Sequence, residues 1–470
     1  MKRIISMLIV FTPVAICAQQ TSPESSRQDS PAWINVGEAG FSTGTANFTS
    51  LAFSPSGQPY VAYSDEGNSR KVAVKKYDGT NWVSVGPEGI SAGEADYLSF
   101  ALNLSGEPYV AYSDMANSYK PIVLKYNGSS WGHVGSASGV ISGDALHESL
   151  AFSPSGTPYI AFTESSNYSK VTVMKFDGST WSYVGSPAGV TDGRVDYLSL
   201  VFSPAGVPYI AYMDWSLPYK ASVKKFNGIN WVNVGDAGFS QGSTSYESLA
   251  FNASGVAYVG YQDWENENKA TVMKFDSSSW VNVGSPGFST GEITHTSLAV
   301  SPSGEPYLVY GDWSTIDISG LSSQAVVMKF DGSNWVNVGL PGFSAGAILY
   351  PCLAFSPSGH PYLAFRDNGT LFGKATLMKY DINTTGINES QYSELTIYPN
   401  PTSDILNIDL KKFNTDKTSL EILNTVGMKM TEMNSFKENI KLGIKNYPPG
   451  IYIVKLKTNA SVRTRMFVKK

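Results

Sequence analysis

One module recurs from Trp33 to Tyr380, and its period constrains the fold more than any other feature. Its parts keep a fixed order: Trp-x-x-Val-Gly, a Gly-Phe-Ser-x-Gly loop, Ser-Leu-Ala-Phe-Ser-Pro-Ser-Gly, Pro-Tyr-x-Ala-Tyr-x-Asp, and Lys-x-x-Val-x-Lys-Phe-Asp-Gly. Trp33, Trp82, Trp131, Trp181, Trp231, Trp280 and Trp335 mark the copies, with spacings by subtraction of 49, 49, 50, 50, 49 and 55. A unit of this size cannot bury its apolar face alone, so neighbouring copies must stack and bury it together.

Each copy reads as four short strands. In the first, strands a, b, c and d are expected over 48–54, 59–65, 71–78 and 82–86. Period-two alternation is clear in Tyr60-Val61-Ala62-Tyr63 and Val72-Ala73-Val74-Lys75, and Asp78-Gly79 is a hairpin signal. Later copies begin near Ala95, Ala145, Val195, Thr244 and Ile293. Four strands per period near fifty specify an all-β fold, a β-propeller with four-stranded blades. The last copy supplies a, b and c (350–381) but lacks a following Trp-x-x-Val-Gly, whereas an extra one, Trp33 to Gly37, precedes the first. That N-terminal strand is therefore expected to be the outer strand of blade seven, closing a seven-bladed ring over 33–381 and leaving no long open edge.

Composition narrows the setting. The 470 residues are 13% aromatic and 16% charged with a formal net charge of −5, without the basic excess of a nucleic-acid binder. Lys2 and Arg3 precede an apolar run from Ile4 to Ile16, then Cys17-Ala18-Gln19 offers a small-residue cleavage point, so 1–18 reads as a signal peptide removed after Ala18. The run is too short to span a bilayer. Cys17 as a lipid acceptor is disfavoured by bulky Ile16. A polar segment (19–32) follows. Cys352 is then the one cysteine left, so no internal disulfide forms. It takes the place that Ser50, Ser99, Ser149, Ser199, Ser248 and Ser297 hold elsewhere, which reads as a small buried side chain.

The a–b and c–d turns are short and nearly invariant, whereas the d–a loops are longer and the b–c loops vary freely. Variable loops on a rigid scaffold carry binding residues, so function is expected on the d–a/b–c face. The c–d turns beginning at Asp78, Asp177 and Asp331 resemble the Asp-box turns of sialidase-like propellers but lack one residue between Asp and Gly, and Asn127 and Asn227 replace the acid in two blades. That resemblance implies a structural turn.

Several motifs carry both a chemical and a plain reading. Gly-x-Ser-x-Gly recurs around Ser42, Ser91, Ser240, Ser289 and Ser344, but a nucleophile elbow needs a strand-to-helix turn and a histidine, so repeat punctuation explains it better. An acid closes each strand b (Asp65, Asp114, Glu164, Asp214, Asp263, Asp312, Asp367), usually followed six residues later by lysine. A carboxylate ring is the functional reading. A charge pair or turn cap, worth at most about 1 kcal/mol if exposed, is favoured. Two residues before each strand-a serine stand Phe48, Tyr97, His147, Tyr197, Tyr246, His295 and Tyr350, placed to ring the channel mouth or to pack between blades. His147 and His295 are too far apart around the ring to form a metal pair. Arg70, Arg194 and Arg366 invite comparison with a sialidase arginine triad, but no Tyr–Glu pair accompanies them. Directly after the strand-b acid, three adjacent blades carry Trp215, Trp264 and Trp313, where an indole is not needed for a core. Exposed indoles stack on sugars or anchor protein partners. The candidate ligand-binding set is therefore Trp215, Trp264, Trp313, Tyr97, His147, Tyr197, Tyr246, His295 and Tyr350. Nothing in the pattern calls for a metal or cofactor.

After a polar linker (382–394), the region 395–470 has a different strand-rich pattern and reads as a small β-sandwich. Its landmarks are Tyr398-Pro399-Asn400-Pro401, Thr425-Val426-Gly427, Gly450-Ile451-Tyr452 and the basic end Lys469-Lys470. In that order they closely resemble the type A sorting domain of Bacteroidetes proteins exported by the type IX secretion system. The resemblance implies export across the outer membrane with the secretion machinery as partner, then tail removal with release or attachment to lipopolysaccharide. Together these features favour a secreted or surface-displayed monomer, a non-catalytic module binding glycans or surface proteins through the tryptophan arc. The alternatives are an extracellular polysaccharide hydrolase or lyase, with Asp312 or Glu265 as acid, and a purely structural repeat.

Overall fold

Alternating apolar and polar residues, punctuated by turns that satisfy their own backbone, fold each copy into one antiparallel meander. In the first blade the strands are Ala46–Phe53 (a), Pro59–Asp65 (b), Lys71–Tyr77 (c) and Trp82–Ser84 (d), hydrogen-bonded in that order. Strand d is shorter than expected because Val85, after its last pair with Val74, leads into Gly86 at φ +82°, which turns the chain away. The a–b turn closes through Gly57 N–H donating to the Ser54 carbonyl at 2.8 Å, with the Ser54 hydroxyl accepting from Gln58 N–H at 3.0 Å. At the c–d turn, one Asp78 oxygen accepts the amides of Thr80 and Asn81, both at 2.8 Å, an Asx turn that Asn127, Asp177, Asn227, Asp276 and Asp331 repeat.

The structure, a computed structural model, describes residues 32–317, 320–369, 372–381, 396–398, 402–409, 419–424, 429–433, 439–457 and 462–470. The expected signal peptide with Cys17, the linker 382–394, Pro399-Asn400-Pro401 and Thr425-Val426-Gly427 lie outside the described residues.

Blades 2 to 7 begin with strands a at Ala95–Leu102, Ala145–Phe152, Val195–Phe202, Thr244–Phe251, Ile293–Val300 and Ile348–Phe355. Strands a of successive blades touch all the way round, blade 7 against blade 1 included, so they form the inner wall. Strand Ala32–Asn35 pairs antiparallel with Lys374–Asp381, Trp33 opposite Tyr380, and completes the sheet of blade 7. The chain therefore forms the seven-bladed ring with its N-terminal strand as the last outer strand. Blade cores are shared: Val72, Val74 and Val85 of blade 1 pack with Leu98, Phe100 and Tyr112 of blade 2.

Two side-chain belts run from blade to blade. At the outer wall each d-strand indole N–H donates to a valine carbonyl of the preceding blade, from Trp82 to Val36 at 2.8 Å round to Trp33 to Val338 at 2.7 Å. Phe41, Phe239, Phe288 and Phe343 stack on these indoles with centroids 4.0–4.9 Å apart. Inside, strand a leaves its inner edge without a β partner, and serines of the neighbouring blade supply one. Ser99, Ser149 and Ser248 accept from Leu150, Leu200 and Leu298 N–H, each at 2.9 Å. Cys352 Sγ does the same for Leu51 N–H at 3.4 Å.

The second unit has a three-stranded sheet (Thr396–Tyr398, Ile405–Asp409, Asn439–Gly443) and a four-stranded one (Lys429–Met433, Ser419–Asn424, Gly450–Lys457, Val462–Lys469). Alternate residues of both sheets, Leu406, Ile408, Leu420, Ile422, Tyr452, Val454 and Phe467 among them, meet in one sandwich core.

Candidate functional site

Strand a of every blade carries a bulge, and the bulge decides what faces the channel. In blade 1, Asn47 opposes Ser64 and Ser50 opposes Ala62, leaving Phe48 and Thr49 across from one residue. The first bulged residue adopts φ between 50° and 61° in all seven blades, at Phe48, Tyr97, His147, Tyr197, Tyr246, His295 and Tyr350. That region favours glycine, and a bulky residue held there costs about 1–3 kcal/mol. The rings of neighbouring blades touch one another. Centroids lie 4.8 Å apart for Tyr350–Phe48, 5.5 Å for Phe48–Tyr97, 4.6 Å for Tyr97–His147, 4.8 Å for Tyr197–Tyr246, 4.7 Å for Tyr246–His295 and 5.9 Å for His295–Tyr350. Among the described residues, only the neighbours His147 and Tyr197 lack a ring contact.

At that break a cavity of about 280 Å³ opens between blades 3 and 4, lined by Tyr97, Leu146, His147, Thr163, Ser169, Arg194, Asp196 and Tyr197. Asp196 organises it. One carboxylate oxygen lies 3.5 Å from His147 Nε2, and the other accepts from Trp215 Nε1 at 2.9 Å and sits 3.5 Å from Arg194. The Arg194 guanidinium carbon sits over the Trp215 indole, 3.8 Å from the ring centroid. Burial pushes the Asp196 carboxyl up, but hydrogen bonds from His147 and Trp215 and the charges of His147 and Arg194 outweigh it and hold the group below its usual range. In the same column of blade 2, burial wins over Arg70, and the Asp96 carboxyl is raised.

Trp215, Trp264 and Trp313 stand 37%, 52% and 45% exposed on three adjacent b–c loops, so none folds down into the blade top. Sequence reasoning missed further exposed aromatics: Tyr119, Tyr168, Tyr219 and Phe372. All four occupy b–c loops at φ between 52° and 60°. Among the described residues of the propeller, Tyr183 is the sole exposed aromatic elsewhere. Tyr119 and Tyr219 directly precede the strand-c lysine, and Tyr168 and Phe372 stand one residue earlier, so each of these two columns is aromatic in only two copies.

Six of the seven strand-b acids are loop caps, whereas Glu164 caps no backbone amide and accepts from the Ser166 hydroxyl at 2.8 Å. Asp65 accepts from Gly44 N–H at 2.8 Å and Gly67 N–H at 3.0 Å, Asp312 from Ser314 N–H at 2.8 Å, and Asp367 from Gly369 N–H at 2.9 Å. The matched lysine, Lys71 opposite Asp65, pairs through the backbone only, and no ion pair among the described residues joins them. The serines of Gly-x-Ser-x-Gly are buried and accept from strand c, as Ser91 does from Val72 N–H at 3.0 Å. Arg70 engages Glu94 and Asp96, and Arg366 donates to Asn368 and Asn47 at 2.8 and 2.6 Å. No group of three or more His, Cys, Asp or Glu among the described residues is arranged to hold a metal. A second cavity, about 530 Å³, lies on the opposite face at the closure seam, between Ile34–Gly37 and the turns at Ser56–Pro59 and Tyr77–Gly79.

Residues 396–470 match the family described as the secretion system C-terminal sorting domain. The tail is a type IX sorting domain. No curated protein sequence matches the chain. Among solved structures it is similar to PorZ of Porphyromonas gingivalis, a bacterial surface component of the type IX secretion system, at 15% identity and a TM-score of 0.49, covering 90% of this chain and 59% of that one. The chain thus spans less than two thirds of the PorZ chain. It is also similar to a protein of unknown function from Dyadobacter fermentans (12% identity, TM-score 0.43, 75% of this chain and 100% of that one). A third is Trypanosoma rangeli sialidase (9% identity, TM-score 0.44, 93% and 89%).

The sorting domain addresses the protein to the cell surface or extracellular space. Within it, Thr402 bridges to the final strand: its N–H donates to Val468 at 2.8 Å, and Lys470 N–H donates back to its carbonyl at 2.9 Å. Tyr452, of the Gly-Ile-Tyr landmark, packs 5.5 Å from Phe467 and donates to the Pro448 carbonyl at 2.8 Å.

Proposed function

We propose that the propeller is a non-catalytic binding module displayed by the type IX route, engaging glycans or surface proteins with its d–a/b–c face. The observation that carries this is the concentration of exposed aromatics on the b–c loops, around a channel mouth lined by strained aromatic residues. Aromatic side chains offer large contact area at little entropic cost, and backbone strain collects where function sustains it. The candidate contacts are Trp215, Trp264 and Trp313 with the axial Tyr97, His147, Tyr197, Tyr246, His295 and Tyr350. A glycan array probed with the secreted chain tests the reading. Replacing all three tryptophans with alanine should cut retention about a hundredfold with the propeller still folded, since anchors of this kind carry most of the binding energy. Unchanged retention overturns it.

The alternative, a polysaccharide hydrolase or lyase, requires two carboxylates flanking a glycosidic bond. Asp312 is committed to Ser314, whose hydroxyl donates at 2.6 Å. Reducing-sugar release from a polysaccharide panel would restore this alternative.

A further inference from the structure

We infer that the cavity between blades 3 and 4 is a subsite for a carboxylate-bearing sugar, a uronic-acid residue, with Arg194 as its anion-binding group. The inference rests on the binding reading above and names the ligand class of one part of that face.

The donor and acceptor balance points to this class. Asp196 would ordinarily accept sugar hydroxyls, but Trp215 already donates to one of its oxygens at 2.9 Å, and His147 and Arg194 each stand 3.5 Å from it. It is an internal strut. Arg194 is the opposite case. A guanidinium has five N–H donors in one plane, and here a single one approaches Asp196, at 3.5 Å. The guanidinium carbon sits over the Trp215 indole at 3.8 Å, the backbone is fixed by Trp215 N–H donating to the Arg194 carbonyl at 3.1 Å, and half of the side chain is exposed. Its free edge is thereby set in advance at the cavity wall, where a planar two-oxygen acceptor can pair with it in fork geometry. Ser169 adds a hydroxyl and Tyr97 and Tyr197 add aromatic walls suited to a sugar face. At about 280 Å³ the cavity is just below the usual span of ligand sites, the size for one ring of a polymer lying across the mouth.

Affinity electrophoresis of the full secreted chain through polygalacturonate, its methyl ester, neutral galactan and a sulfated glucan tests the assignment. Wild type should be retarded by polygalacturonate about tenfold or more over the ester, as expected for loss of a charge-assisted pair. Arg194→Gln should abolish that preference while binding to neutral glycans through Trp264 and Trp313 persists. Arg194→Lys, which keeps the charge and stem but not the fork, should lose most of it with Tm unchanged. Equal retardation by acid and ester, or by acid and sulfated polymer, overturns the carboxylate assignment. So does an Arg194→Gln protein that keeps the preference. Binding to neutral glycans without acid preference overturns this subsite and leaves the binding reading standing. Failure to bind any of the four polymers overturns this subsite, and the glycan array then decides the binding reading.

Discussion

At the outer wall of the ring each d-strand tryptophan meets the same partner, a valine carbonyl of the blade before it, and the column never varies. At the inner wall, one column of serines is almost as regular, yet the residue directly before it changes from blade to blade among Thr49, Leu98, Glu148, Leu198, Glu247, Thr296 and Pro351. There the bulged aromatics sit at positive φ, and the carboxyls of Glu148 and Glu247 are buried with one oxygen each lacking a protein partner. His295 Nδ1 is likewise unpartnered, and burial pulls its pKa down to about 4. The outer wall is saturated and unstrained; the inner wall stores strain and unmet hydrogen bonds. Such costs persist only where something else uses them. The contrast separates what holds the ring from what the ring is built to present.

The sharpest way to break this comparison is at the seam. Trp33→Ala removes a buried indole, its 2.7 Å bond to Val338 and its stack on Phe343, in the one blade whose outer strand is not continuous with its neighbour. A loss of about 3–5 kcal/mol is expected from urea midpoints. The loss should exceed that of Trp181→Ala, whose blade is covalently continuous. If Trp181→Ala costs as much, closure by the N-terminal strand is not the special joint described here.

The inner wall should respond to pH instead. Burial pushes the Glu247 carboxyl up to about 8, against the Thr244 hydroxyl that donates to it, and the Asp196 charge adds to the rise. The folded chain then holds a proton that the unfolded chain releases above the ordinary glutamate range, so stability falls as pH climbs from about 4.5 to about 8. Glu247→Gln should make that slope shallower and the protein more stable than wild type at pH 8. Glu148, also raised by burial, keeps part of the slope. Parallel stability curves for the two proteins between pH 5 and 8 would contradict the buried-acid account.

The serine belt of the inner wall should respond less. Ser149→Ala leaves Leu200 N–H without its 2.9 Å acceptor on an edge that no strand covers. An unmet buried amide costs about 1–3 kcal/mol, and the loss should appear in Tm without any change in glycan retention. A retention change would mean that the belt is not purely structural.

What could be read from sequence follows the same division. Columns that repeat, such as the tryptophans and strand-a serines, mark the period, the blade count and the closure by Trp33, because identical neighbours demand identical residues. The aromatic column from Phe48 to Tyr350 was visible too, although its positive φ was not, since a bulge depends on register and not on residue type. The Arg194, Asp196, His147 and Trp215 cluster was hidden. It joins blade 3 to blade 4 across one full period, and reading each column down the copies does not show which of its members meet. Tyr168 and Phe372, 82% and 86% exposed, share a position two residues before the strand-c lysine where Ser69, Ser118, Pro218 and Glu267 stand in other copies, so the column carries no repeating signal.

The smallest effect belongs to the single departure within the serine belt. Cys352 sits where six blades have serine, and its sulfur accepts from Leu51 N–H at 3.4 Å, across the blade 7 to blade 1 seam. Sulfur is a weak acceptor, and burial raises the thiol's pKa, so it remains neutral and inert there. Cys352→Ser restores the hydroxyl that makes 2.9 Å bonds at Ser99, Ser149 and Ser248. Stability should hold or rise by up to about 1 kcal/mol, the net worth of one hydrogen bond. A clear loss of stability would show that the seam needs the bulk of sulfur more than the bond, and that the inner wall at blade 7 is packed differently from the other six.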